Sequence, residues 1–152
     1  NLGRTFSTLG LGLVGFYGLN ELLYRLTATF LGGHTNLNDV SISAQMNDAP
    51  RTTFLIIVFL APFVEEVLFR GYVFGMLRDH SRILAYVVSC ALFAFLHVWQ
   101  FAVGSQSLGY LVLMIQYLVP GLVLAWAYDR AGNLWGPILI HMCANALSIL
   151  LR

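Results

Sequence analysis

The stretch FVEEVLFRGY, residues 63–72, sets Glu65, Glu66 and Arg70 inside a run that is otherwise apolar enough to sit in a lipid bilayer. Around it, the 152-residue chain is 59% hydrophobic and only 10% charged, with a mean hydropathy of +0.77. A soluble domain carries about 25% charged residues, so this composition is that of a membrane protein. Crossing a hydrocarbon core of about 30 Å takes roughly 20 helical residues. Five apolar runs approach or exceed that length: 5–31, 52–77, 83–103, 108–128 and 134–151. They are apolar on every face and lack the alternation of barrel strands. The expected fold class is therefore all-α: a polytopic transmembrane helical bundle of about five spans with a polar site at mid-membrane.

The chain reads as a single transmembrane domain, 1–152, with an N-terminal span at 1–31, a connection at 32–51 and a core at about 52–151. Other connections are short and polar, as in RDHSR (78–82) and DRAGN (129–133). The long one, with NLNDVSISAQMNDAP at 36–50, is expected to be a loop, a surface-lying helix or a flap, and its length suits a gate over the site. The first run has neither a charged leader nor a small-residue cleavage site, so it reads as a span rather than a signal peptide. A chain that starts without methionine is what a trimmed piece of a longer protein would show.

All eight basic residues are arginine and the net charge is +1, which points to neither nucleic acid nor an acidic partner. With the N-terminus cytoplasmic, Arg4, Arg78, Arg82 and Arg130 fall inside and Arg51 and Arg152 outside. Trp126, Tyr128 and Trp135 flank Arg130 as an interfacial aromatic belt would. Cys90 and Cys143 lie within spans as small packing groups, and His34 and His80 fall in connections. Glu21 and Arg25 are spaced as an i, i+4 pair. Gly71-x-x-x-Gly75 would let a neighbouring helix approach closely, and Gly136-Pro137 reads as the start of the last helix.

The charges in the second run are costly. Each ionised group at mid-helix costs about 2.5–3.5 kcal/mol on the insertion scale, or roughly 7–10 kcal/mol for three, which the surrounding Leu, Ile, Val and Phe only just offset. Sheltering partners are therefore required. Glu66 and Arg70 are four apart in the acid-first order that suits an ion pair. Glu65 points about 100° away and meets Phe69 at its own fourth neighbour, which leaves it a candidate general base. His97 in FAFLHVW, and His141 with Asn145 in HMCAN, stand on other spans. Counting about 1.5 Å per residue puts Glu65, His97 and His141 roughly 18, 21 and 12 Å from the nearest arginine-bearing loop, all near mid-membrane. Intramembrane ionisable residues of this kind mark functional sites.

Glu65-Glu66-x-x-x-Arg70, Phe93-x-x-x-His97 and His141-x-x-x-Asn145, in that order on three spans, resemble the motifs of the CAAX protease and bacteriocin-processing (abortive-infection) family, whose members include Ras-converting enzymes. Gly71 after the arginine is part of the likeness, which covers roughly 61–150. The resemblance implies a glutamate-dependent intramembrane endopeptidase that hydrolyses a membrane-associated peptide or protein. Glu65 with His97 would activate a water, and His141 with Asn145 would hold the oxyanion. Glu66 belongs to the same catalytic set, with the base either Glu65 or Glu66, and its pair with Arg70 would support the helix, as would Phe93. No cofactor is expected, and the expected setting is a prokaryotic plasma membrane.

Three alternatives stand beside this reading. Zinc held by Glu65, His97 and His141 would suit a catalytic metal site, although the His-Glu-x-x-His spacing is missing. A non-catalytic bacteriocin-immunity or peptide-binding protein would keep the site without the chemistry. A proton relay would also place Glu and His at the midplane, but no repeat symmetry supports it. A serine protease is disfavoured, because the one candidate, GSQS at 104–107, sits in a loop without the expected pattern.

Overall fold

The computed structural model describes residues 2–31, 37–106 and 108–151, so His34, Ser107 and Arg152 lie outside it. Among the described residues there is no strand. The helices are α1 (Leu2–Leu31), α2 (Leu37–Asp48), α3 (Pro50–Arg78), α4 (Arg82–Ser105), α5 (Ile115–Ala131) and α6 (Trp135–Leu150), with a 3₁₀ segment, Leu108–Met114, leading into α5. The protein is an all-α integral membrane bundle.

Three of these stretches, α3, α4 and Leu111–Ala131, are long and apolar enough to cross a membrane, and α6 is apolar but shorter at 16 residues. Five such spans were expected. The first run does form one helix of 30 residues, but its glycines together with Asn20, Glu21 and Arg25 dilute its apolar character. The long connection contains a helix of its own, α2, which packs against the start of α3, with Thr53 Oγ1 donating to the Gln45 carbonyl at 3.0 Å.

Local chemistry explains the helix ends. Ser81 caps α4 by accepting from the Leu84 N–H (3.3 Å), and Asn133 Oδ1 accepts from the N–H groups of Trp135 (3.0 Å) and Gly136 (3.4 Å) at the start of α6. Gln106 (φ 53°) ends α4 and Gly132 (φ 70°) ends α5, both left-handed. Inside α3, Ile56–Leu60 and Val67–Phe74 are π-helical. Pro62 has no N–H for the Val58 carbonyl and its ring would strike that group, so a widened turn ahead of it relieves the clash.

The usual distribution of polarity is inverted, with large apolar side chains such as Ile83, Val87, Phe63 and Leu122 exposed around the bundle and Glu66, Arg70 and Ser89 buried in it. The core comprises Phe69, Phe93, Val98, Tyr117, Leu124 and Ile140 in one cluster and Phe74, Ala85, Cys90 and Ala125 in another. Leu9, Leu13 and Phe16 of α1 pack onto the first cluster, so α1 is an integral wall. Gly71 and Gly75 turn inward, toward Leu134 and the Tyr128 hydroxyl, and serve packing within the chain.

Asn133 Nδ2 donates to Thr5 Oγ1 at 3.1 Å, and Asp129 Oδ2 accepts from Arg82 (2.6 and 2.8 Å) and from the Tyr86 hydroxyl (3.1 Å). These contacts gather the start of α1, the α3–α4 turn and the α5–α6 turn at one arginine-bearing end of the bundle. Gly12 is where α1 meets α6, since a Cβ there would overlap Ile140. Gly12→Leu is expected to cost about 1–3 kcal/mol by overpacking and to lower the melting temperature in detergent. An unchanged midpoint would contradict this helix crossing.

Candidate active site

The expected ion pair is present and wholly buried. Arg70 Nη1 donates to Glu66 Oε1 at 2.9 Å, with both side chains 0% exposed. A second donor converges on the same oxygen, because His141 Nδ1 donates to it at 2.9 Å from α6. Arg70 Nη2 donates to the Gly121 carbonyl of α5 at 2.9 Å, and its guanidinium carbon lies 4.5 Å from the centroid of the Phe93 ring on α4. One arginine thereby ties α3 to α4 and α5, while its carboxylate partner ties α3 to α6. Charges in low dielectric persist only when so paired. Glu66 Oε1 takes both of these donors, while its Oε2 and Arg70 Nε are buried without a hydrogen-bond partner.

Glu65 occupies different surroundings. Its Oε2 is buried without a hydrogen-bond partner and lies 3.7 Å from His97 Nε2. The other ring nitrogen, His97 Nδ1, donates to the Phe93 carbonyl at 2.8 Å, so in the neutral ring Nε2 is an acceptor turned toward Glu65. The ring stacks on Tyr117, with centroids 4.6 Å apart and planes at 26°. Glu65 and His97 thus present two basic atoms side by side, with the imidazole held from both edge and face.

Both open on one cavity of about 430 Å³, which His141 and Asn145 also line. Its walls come from α1 (Phe16, Tyr17, Asn20), α3 (Ile57, Ala61), α4 (Leu96, Gln100), α5 (Pro120, Leu124) and α6 (Ser148, Ile149), and α2 adds Ile42. Every one of the expected site residues, Glu65, Glu66, Arg70, Phe93, His97, His141 and Asn145, joins this cavity or the buried network behind it.

His141 and Asn145 each give one hydrogen to a partner within the protein. With Nδ1–H given to Glu66, the neutral His141 ring keeps only an acceptor at Nε2, and it can donate there only as the imidazolium. Asn145 Nδ2 donates to the Ile57 carbonyl at 2.8 Å, which leaves one amide N–H for another partner. Among the described residues, no group of three His, Cys, Asp or Glu side chains is arranged to hold a metal ion.

Sequence reasoning missed Tyr117, the Gly121 carbonyl and the contribution of α1. A tyrosine, a glycine and an apolar helix carry no local mark of such roles. Tyr17 shows how α1 is held, because its hydroxyl donates to the Ala144 carbonyl at 3.3 Å, beside Asn145.

Residues 48–147 match the family described as type II CAAX prenyl endopeptidase Rce1-like. Among curated proteins, the chain is 27% identical over 90 residues to the UPF0177 protein YxdF of Lactococcus lactis, covering 59% of this chain and 44% of that one. It is 36% identical over 101 residues to a 24.3 kDa protein of Escherichia coli, covering 64% and 43%. It is 28% identical over 94 residues to YdiL of Bacillus subtilis, named as a candidate membrane peptidase, covering 61% and 34%. The chain spans less than half the length of these curated relatives. No solved structure matches it.

Proposed function

The chain belongs to the type II CAAX prenyl endopeptidase Rce1-like family, and from that premise we propose that it hydrolyses a peptide bond in a membrane-associated peptide or protein, with Glu65 as the general base. The observation that carries this reading is the Glu65–His97 pair, two acceptor atoms 3.7 Å apart on two residues that line the cavity. That spacing accommodates one water touching both. Glu65 takes a proton from the water, the oxygen bonds to the peptide carbonyl carbon, and the carbonyl π electrons move onto oxygen. Asn145, through its remaining N–H, and His141, as imidazolium balanced by Glu66, donate to that oxyanion. On collapse the C–N bond breaks, and the proton held by Glu65 passes to the departing amine.

The proposed chemistry needs no cofactor, and the zinc alternative is met by the same assay. The setting we infer is a prokaryotic plasma membrane, in keeping with the bacterial relatives. A palmitoylated peptide library in liposomes is expected to be cleaved by the wild type, with or without chelator. His97→Ala and His141→Ala are expected to lose activity. Inhibition by chelator would move the site to zinc, and peptide binding without cleavage would favour an immunity or binding role.

We assign α2 as the gate. It lies along the cavity with Ile42 in the wall, and Leu37 packs on the core cluster. A bound peptide is expected to change the rate of limited proteolysis within 37–48, and equal cleavage with and without peptide would count against a gate.

A further inference from the structure

In an intact helix the carbonyl of the bond to be cut is hydrogen-bonded and shielded by the turns around it, so a peptide bond presented to Glu65 comes from a locally unwound segment, whose backbone N–H and C=O groups have lost their helical partners, a loss that is costly inside a bilayer unless new partners are supplied.

Such partners line the cavity. Asn20, Gln100 and Ser148 face it, and none has a hydrogen-bond partner among the described residues. Gln100 stands three residues beyond His97 on α4, and Ser148 three beyond Asn145 on α6, so each shares a helix face with a residue of the reaction centre. Asn20 stands three beyond Tyr17 on α1. The contacts at the arginine-bearing end fix the helix directions, so all three lie on the side of the reaction centre away from that end. Three residues of helix rise about 4.5 Å, and an extended chain advances about 3.3 Å per residue. These side chains thus come level with the substrate one or two residues from the bond that breaks.

Resting on the proposed hydrolase, we infer that Asn20, Gln100 and Ser148 form a hydrogen-bonding rail for the backbone of an extended peptide. The amides and hydroxyl can each give and accept hydrogen bonds, so they read main chain and tolerate varied side chains. Asn20 lies outside the residues that match the family, so α1 contributes binding that the family match does not cover.

The test measures binding of a palmitoylated fluorescent decapeptide to Glu65→Gln protein in phosphatidylglycerol–phosphatidylethanolamine liposomes, and cleavage of the same peptide by the wild type. Asn20→Ala, Gln100→Ala and Ser148→Ala are each expected to weaken binding and raise KM about two- to tenfold. A peptide series with each backbone N–H replaced in turn by N-methyl is expected to show the same loss at one or two positions, and to lose less against the variants. The N-methyl series needs no rail variant to fold. Binding insensitive to both changes would overturn the rail, even with cleavage intact. Sensitive binding without wild-type cleavage would sink the hydrolase and leave the rail standing. Absence of both binding and cleavage would overturn both.

Discussion

Glu65→Gln is expected to reduce peptide hydrolysis by about 10²–10⁴-fold, the contribution of a positioned general base, while the protein stays folded. The substitution keeps shape and removes only the ability to take a proton. Because Glu65 Oε2 holds no hydrogen bond, no internal partner is orphaned, and the melting temperature should stay close to that of the wild type. A rate within tenfold of the wild type would remove Glu65 from the base position.

Arg70→Ala is expected to fail at an earlier stage, by losing the fold. The substitution strips Glu66 of its charge partner inside the bundle, leaves the Gly121 carbonyl without that donor and empties the space over the Phe93 ring. Breaking a buried pair costs about 3–5 kcal/mol, a large share of the 5–15 kcal/mol that holds a typical domain together. The expected result is poor yield and a sharply lowered melting temperature in detergent. Arg70→Lys should recover little, because one ammonium cannot span Glu66, Gly121 and the ring face as a planar fork does. A stable, active Arg70→Ala protein would show that the network is dispensable. The two variants therefore separate the adjacent glutamates: one substitution removes chemistry from a folded protein, and the other removes the fold on which the chemistry depends.

Much of this site was legible in the residues because part of it is local. Glu66 and Arg70 meet across one helical turn, so their spacing alone forecast the ion pair, and the mismatch at Phe69 forecast that Glu65 would stand apart. Other contacts were out of reach. His141 meets Glu66 across 75 positions of sequence and Arg70 meets Gly121 across 51, distances over which spacing carries no geometric information. The same limit covers the local partners of Asn145 and His141. Asn145 gives one of its hydrogens to Ile57, a neighbour 88 positions away. His141 gives its Nδ1 hydrogen to Glu66 on another helix.

Read alone, the residues establish that the chain is helical, that it belongs in a membrane and which polar side chains its apolar helices must shelter. Those conclusions rest on hydropathy and helical periodicity, which act over a few residues. Only the tertiary structure decided that Glu65 and His97 face a shared cavity while Glu66 is sealed behind them. It also decided that α1 and α2 close that cavity, and that Asn20, Gln100 and Ser148 come together along it. Close packing brings helices distant in sequence into one register, and no local pattern records which faces will meet.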